Sequence, residues 1–460
     1  MILNLRLMNV ADFRCVALLC GATAIVFTIL WAAGGISGAI TPDTASYLDA
    51  FHSSNPWGEP RHPLYGMLAS WLGGTSTNPG HIALVQALFA ATAVGALYAG
   101  ARAGGVGVAG ATFLSLAALF SQSMLFHVRL VLPEAPAIAF CLLAFAGVLA
   151  AARSRNAYLA LAVPIGLATG LAYILRPSFL PAAACVPILW WALATRNELG
   201  NRIARTAILF AVAAAPFVLQ SAYRWQTVGD FNIVSDGGYN MSAMAGLMLS
   251  PRVVAALPDA VRPTAQAILA AREAAEAAGR VSPTPLNSAG ARSFISAALG
   301  YFDIYARTYD NLLWSEIWKL RAPNESWVAF DKRLERFSLA TIETVPLRWL
   351  AWVGGATSRL VGRMLITDVP MLAAIAALAF AGLSACIGRT GLGPSADDLP
   401  AVCLVALAWL ASTGPLIVLV TFPATRYIDT CAVLLPAIPA LLAAAIIQGR
   451  QKRADATAAG

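Results

Sequence analysis

The chain alternates long unbroken apolar runs with short polar breaks. A helix needs roughly 20 apolar residues to cross the hydrocarbon of a bilayer. Runs of about that length lie at Val16–Ile36, Ile82–Ala101, Val106–Phe126, Ala135–Ala152, Ala157–Leu175, Phe179–Ala194, Ala207–Ser221, Met371–Ile387, Ala401–Thr421 and Cys431–Ile447. A membrane β-barrel would instead alternate apolar and polar residues at every second position. The pattern therefore predicts an all-α polytopic membrane protein with about ten transmembrane helices. Between the seventh and eighth runs lies one long polar stretch, Ala222–Pro370, mostly helical in character. In ESWVAFDKRLERFSLATIE, residues Trp327, Phe330, Leu334 and Phe337 form an apolar stripe at helical spacing, as a packing face would. VSPTPLNSAG reads as a loop, and Arg348–Ile366 as an amphipathic helix at the membrane surface. The chain divides into an N-terminal bundle (1–221), this stretch (222–370) and C-terminal helices with a tail (371–460).

Composition strengthens the membrane reading. Of 460 residues, 59% are hydrophobic and 12% charged, and the mean hydropathy is +0.69. Soluble domains carry roughly 25% charge, so this much apolar surface does not fit one aqueous core. The formal charge of +8 does not point to nucleic acid, because the basic residues form no dense patch. They read as topology signals. Arg6, Arg14, Arg102, Arg153, Arg155, Arg196, Arg202, Arg205, Arg389, Arg450, Lys452 and Arg453 all fall on one side if the N-terminus is cytoplasmic. An even number of spans then leaves the C-terminus cytoplasmic too. The N-terminal run lacks a small-residue cleavage site and reads as a retained helix. The cysteines all lie in or at the ends of apolar runs, with no CxxC or Cys/His ligand spacing. Neither a disulfide framework nor a zinc site is expected.

The opposite side then holds Thr41–His81, His127–Glu134, Arg176–Ser178, Ala222–Pro370 and Phe422–Thr430. In its shorter loops Arg61, Arg129, Arg176 and Arg426 run against the positive-inside trend. A lone arginine at a helix end can snorkel to lipid phosphate. Four on one side, beside Asp43, Glu134 and Tyr427, point to an anionic ligand. The first loop is the richest: TPDTASYLDAFHSSNPWGEPRHPLYG carries Asp43, Tyr47, Asp49, His52, Glu59, Arg61 and His62. If its start is helical, Thr41 caps it and Tyr47 falls one turn after Asp43. A carboxylate shielded at a membrane surface gains proton affinity, which suits a general base. Arg61 and His62 flank a break at Pro63, where an acceptor could enter. Glu134 opens the fourth span, where a carboxylate also offsets the helix dipole.

The order PDTASYL, RLVLPE, LRP and ATRY resembles integral-membrane glycosyltransferases of the GT-C class. In particular it looks like lipid-linked-sugar transferases related to protein O-mannosyltransferases and the lipid A aminoarabinose transferase. The resemblance covers most of the N-terminal half and the last loop. It implies a GT-C-like bundle and transfer, with inversion, from a polyprenyl-phosphate-linked sugar to an envelope lipid, glycan or protein. It places Asp43 as the first-loop catalytic carboxylate, Glu134 as the second loop acid, and Arg176 and Arg426 on the donor phosphate. Tyr47, Arg61, His62, Arg129 and Tyr427 would line the same site. Relatives often pair two adjacent acids where this chain has Asp43 followed by Thr44, which leaves a divalent ion open and no other cofactor expected. The expected location is a bacterial inner membrane. A lipid or polysaccharide flippase would need ionisable groups at mid-span and repeated halves, and neither is evident. A non-catalytic scaffold would tolerate neutralisation of the loop charges.

Overall fold

The computed structural model describes residues 38–75, 78–79, 81–194, 198–280, 309–366, 368–388, 392–420 and 424–459, with residues 21, 23 and 25. Almost all of the predicted Val16–Ile36 span, and all of VSPTPLNSAG, lie outside these residues. The described residues form helices and contain no strand beyond one isolated bridge, Ala39 with Leu130. In chain order the helices are α1 Pro42–His52, α2 Pro63–Trp71, α3 Ile82–Ala103, α4 Val108–Phe120, α5 Gln122–His127, α6 Glu134–Ala151, α7 Arg155–Leu175, α8 Ala182–Leu193 and α9 Leu199–Val228. They continue as α10 Gly237–Met248, α11 Pro251–Ala256, α12 Arg262–Ala277, α13 Trp327–Thr344, α14 Pro346–Ile366, α15 Val369–Gly388, α16 Leu399–Val420, α17 Thr425–Ala432 and α18 Ala437–Ala459.

Seven helical segments among the described residues are long and apolar enough to cross a membrane, so the chain is a multi-pass membrane protein. They are α3, α4 with α5, α6, α7, α9, α16 with its leading turn, and α17 with α18. An eighth arises if α14 and α15, bent by 66° at their junction, form one span. Of the ten expected spans, Val16–Ile36 lies almost wholly outside the described residues, and among the described residues seven or eight are found in place of the other nine. The predicted Phe179–Ala194 span falls in the shorter apolar helix Pro177–Leu193, and Met371–Ile387 is one limb of the bent pair.

Burial orders the bundle. In α6 78% of the apolar window is buried, against 11% in α9. EAPAIAFCLLAFAGVLAA is apolar on every side and therefore sits in the middle. The α9 helix is peripheral and leaves Ile208, Val218 and Leu219 exposed, a face suited to lipid. Small residues let helices touch: a Cβ on Gly100 of α3 would meet the Ala146 carbonyl oxygen of α6 at 2.2 Å.

A second apolar cluster joins α10, α12, α13 and α14 and reaches Ile417, Ile428 and Cys431 of the C-terminal helices. The stripe Trp327, Phe330, Leu334 and Phe337 is buried in it, as the helical spacing predicts. Tyr239 of α10 meets Trp327 edge-on, with ring centroids 5.2 Å apart. The wholly buried Arg272 of α12 donates to the carbonyls of Gly246 at 2.6 Å and Leu249 at 3.2 Å. Those are carbonyls at the end of α10 that have no further helical turn to bond.

Candidate active site

The first loop is fixed by its backbone. Ala39 N–H donates to the Arg129 carbonyl at 2.7 Å, and Val131 N–H donates to the Ala39 carbonyl at 3.1 Å. Pro42 opens α1, where its missing N–H costs nothing. Thr41 N–H donates to Thr44 Oγ1 at 2.9 Å, and that hydroxyl donates to the Val131 carbonyl at 3.1 Å. Gln86 of α3 donates to the Leu130 carbonyl at 2.8 Å and accepts from the Tyr65 hydroxyl at 3.1 Å. Asp43 in α1 is therefore strapped to the segment that leads into Glu134.

Four loops meet around this strap. Arg426 Nη1 donates to Asp43 Oδ2 at 2.6 Å, and Arg426 Nη2 to the Tyr427 hydroxyl at 3.0 Å. Arg176 Nη2 lies 3.4 Å from Glu134 Oε1, and Arg176 Nη1 donates to the Tyr47 hydroxyl at 3.1 Å. The guanidinium carbons of Arg176 and Arg426 both sit 4.9 Å from the Tyr427 ring centre. That of Arg61 lies 5.2 Å from the Tyr47 ring centre, and Arg61 Nη1 lies 3.2 Å from Asp236 Oδ2. Three arginines and three carboxylates thus interleave with two tyrosines. The Asp43 and Arg426 side chains are 30% and 33% exposed, whereas Glu134 is 4% exposed. The first pair is the accessible end of the cluster and Glu134 its floor.

The electrostatics separate the acids. Burial raises the proton affinity of Asp43, but the Arg426 hydrogen bond and the charges of Arg426, Arg61 and Arg176 outweigh it and hold the carboxyl below its ordinary range. This corrects the expectation of a raised affinity, since shielding is overruled by a direct cation. Asp236 goes the other way: burial outweighs Arg61 and Asn240 and lifts it above the ordinary range. Burial opposes the charge of Arg176, yet Glu134, Tyr47 and Tyr427 hold it well above its usual value. Arg61 is likewise raised despite burial, by Tyr47 and Asp236.

No family model, curated protein or solved structure matches the chain. The geometry is therefore read on its own terms. Of the residues singled out in the sequence, Asp43, Tyr47, Arg61, Glu134, Arg176, Arg426 and Tyr427 come together. Arg129 does not: its side chain is exposed and lies over Phe126, 5.2 Å from the ring centre. Its backbone carbonyl serves the strap instead. His62 also has another task. Its Nδ1 accepts from Leu64 N–H at 3.1 Å and caps α2, and burial pushes the ring down to about 4, so it stays neutral. Among the described residues no group of three or more His, Cys, Asp or Glu is spaced to hold a metal ion.

Two further residues join the cluster. Asp236 pairs with Arg61 from a stretch, VSDGGYN, that reads as a turn. The signal for it was Arg61 itself, a cation against the charge trend that needed an acid partner. His127 is fully buried, with Nδ1 2.8 Å from the Ser123 carbonyl. A carbonyl only accepts, so Nδ1 carries the proton and Nε2 is a bare acceptor. That Nε2 and Glu134 Oε2 are buried without a hydrogen-bond partner.

Proposed function

We propose that the protein is a membrane glycosyltransferase that moves a sugar from a polyprenyl-phosphate-linked donor to an acceptor at the membrane surface. One observation carries this reading: Arg61, Arg176 and Arg426, with Asp43, Glu134, Tyr47 and Tyr427, gather from separate loops at helix ends in a chain otherwise poor in charge. Planar guanidinium groups suit phosphate oxygens. Aromatic faces beside them suit an apolar sugar face or an isoprene unit. In this reading Arg176 and Arg426 stabilise the departing lipid phosphate as negative charge builds on it. The acceptor, an envelope lipid, glycan or protein, approaches by the first loop. The resemblance of PDTASYL, RLVLPE, LRP and ATRY to GT-C enzymes supports the same assignment, with inversion at the anomeric carbon. A bacterial inner membrane, with both termini cytoplasmic, is the matching location.

The test is a mass spectrum of envelope glycolipids and glycans from cells with and without the protein. Loss of a single hexose, pentose or uronic acid from one acceptor is the expected result. An unchanged glycome with a redistributed lipid would overturn the transferase and favour a flippase.

A further inference from the structure

Asp236 occupies the position just before α10, where an aspartate ordinarily accepts a hydrogen bond from the first turn of its own helix. Here its side chain makes no such bond. The bond is made by another helix: Tyr239 N–H, in the first turn of α10, donates to Asp331 Oδ1 of α13 at 2.7 Å. The two helices are in near contact there, since a Cβ on Gly238 would meet the Asp331 carbonyl oxygen at 2.1 Å. Relieved of the cap, the Asp236 carboxylate turns to Arg61 at 3.2 Å, and Arg61 lies over the Tyr47 ring. Arg176 and Asp43 act on Asp236 electrostatically as well. A carboxylate from the 222–370 stretch is thus held beside a site otherwise built from short loops.

The two accessible acids differ in what they can do. Asp43 is engaged by Arg426 at 2.6 Å and has lost proton affinity. A base weakened in this way takes a hydroxyl proton poorly. Asp236 is the less exposed of the two, 17% against 30%, but it is paired more loosely, at 3.2 Å against 2.6 Å, and burial keeps its affinity higher.

We infer that Asp236, rather than Asp43, is the carboxylate that takes the proton from the acceptor hydroxyl, with Arg61 holding it in place and Asp43 positioning Arg426. This rests on the glycosyltransferase reading. In the step, the acceptor O–H proton passes to Asp236 and the acceptor oxygen bonds to the anomeric carbon. The bond from that carbon to the phosphate oxygen breaks, and its electron pair leaves with the lipid phosphate. Asp236 then returns the proton to water.

The test uses membranes from a deletion strain carrying each full-length variant, so that native donor and acceptor are present. Sugar addition is measured by mass spectrometry from pH 5 to 9. Asp236→Asn should lower the rate by about a hundredfold or more, the scale of a lost general base. Purified Asp236→Asn should still bind undecaprenyl phosphate in native mass spectra within about threefold of wild type, because the arginines remain. Asp236→Glu should restore part of the rate and shift the acid limb of its pH profile. Asp236→Asn working within about threefold of wild type would overturn the assignment. So would an Asp236→Glu profile identical to wild type, a readout that stands even if the asparagine variant fails to accumulate. Wild type adding no sugar would overturn the glycosyltransferase reading itself, and this assignment with it.

Discussion

Replacing Arg176 by glutamine should cost more than any other single change in the cluster. Its partner Glu134 is only 4% exposed, and the closest N···O approach is 3.4 Å. At an effective dielectric of 20, that separation corresponds to an attraction of ~5 kcal/mol before desolvation is counted. Desolvation of both ions offsets most of this, so the intact pair is close to neutral in stability. Removing one partner leaves the other buried and uncompensated, which costs about 3–5 kcal/mol. The Tyr47 hydroxyl also loses a charged donor, and the Tyr427 face loses a cation. Glu134→Gln should be milder, about 1–3 kcal/mol, because Arg176 keeps both tyrosines. The double variant should then be less destabilised than the two singles summed, by more than about 1 kcal/mol. The assay is reversible unfolding in mixed micelles followed by tryptophan fluorescence, with the wholly buried Trp190 and Trp409 as reporters. Costs that add to within about 0.5 kcal/mol would refute the reasoning, because the two side chains would then not be sharing one buried charge balance.

Two buried groups make opposite predictions for pH. His62 titrates at about 4 in the fold and near 6.5 when unfolded, so acidification from about 6.5 to 4 should remove stability. Asp331 titrates at about 7 in the fold, against about 3.9 when unfolded, so stability should fall as pH rises from about 4 to 7. Each effect is of order 2–4 kcal/mol at full extent, and in wild type they largely cancel. His62→Asn should make stability fall with rising pH, and Asp331→Asn should make it fall with acidification. Unfolding of each variant between pH 4 and 8 checks the signs, and matching slopes would contradict both. At the far end of the bundle, Asp398 accepts from Gly107 N–H at 2.6 Å and from Gly110 N–H at 3.2 Å. Asp398→Ala should therefore cost about 1–2 kcal/mol through the lost cap on α4, read in the same micelle assay. A Leu at Gly100 should prevent α3 from seating on the Ala146 backbone and abolish accumulation of folded protein, read by size exclusion in detergent.

The helices were legible because a 20-residue apolar run has few other uses. Their status as spans was less so. Pro177–Leu193 is as apolar as its neighbours but too short by itself, and Asp368 and Pro370 mark the break after Ile366 without showing that the two helices meet there at 66°. The site was legible where charge violated topology, at Arg61, Arg176 and Arg426. Arg129 satisfied the same rule yet points away, because sidedness fixes which face of the membrane a residue occupies but not which way its side chain turns. His62 looked chemical in sequence and is a cap. Arg61 called for an acid partner, but nothing in the sequence singled out Asp236, which lies 175 positions away and stands before Gly-Gly, where an Asp ordinarily signals a turn.

Pairing also explains why Asp43 and the arginines could be found while their roles could not. A guanidinium at the edge of an apolar bundle cannot wait unpaired for a ligand, since an uncompensated buried ion costs several kcal/mol. Each arginine of the cluster therefore rests on a carboxylate: Arg426 on Asp43, Arg176 on Glu134 and Arg61 on Asp236. Sequence shows the charges but not this assignment, and the assignment decides the chemistry. An acid spent on a cation at 2.6 Å is a poor base, however well its motif matches. An acid lifted by burial and paired more loosely, at 3.2 Å, is a better one, even in a stretch that reads as a turn. The three pairs also make the resting cluster electrically balanced. In the proposed reaction a phosphate can then enter only by sharing an arginine that its carboxylate still holds. The pair most open to such sharing is the most exposed one, Asp43 with Arg426, and the least open is Glu134 with Arg176 at the floor.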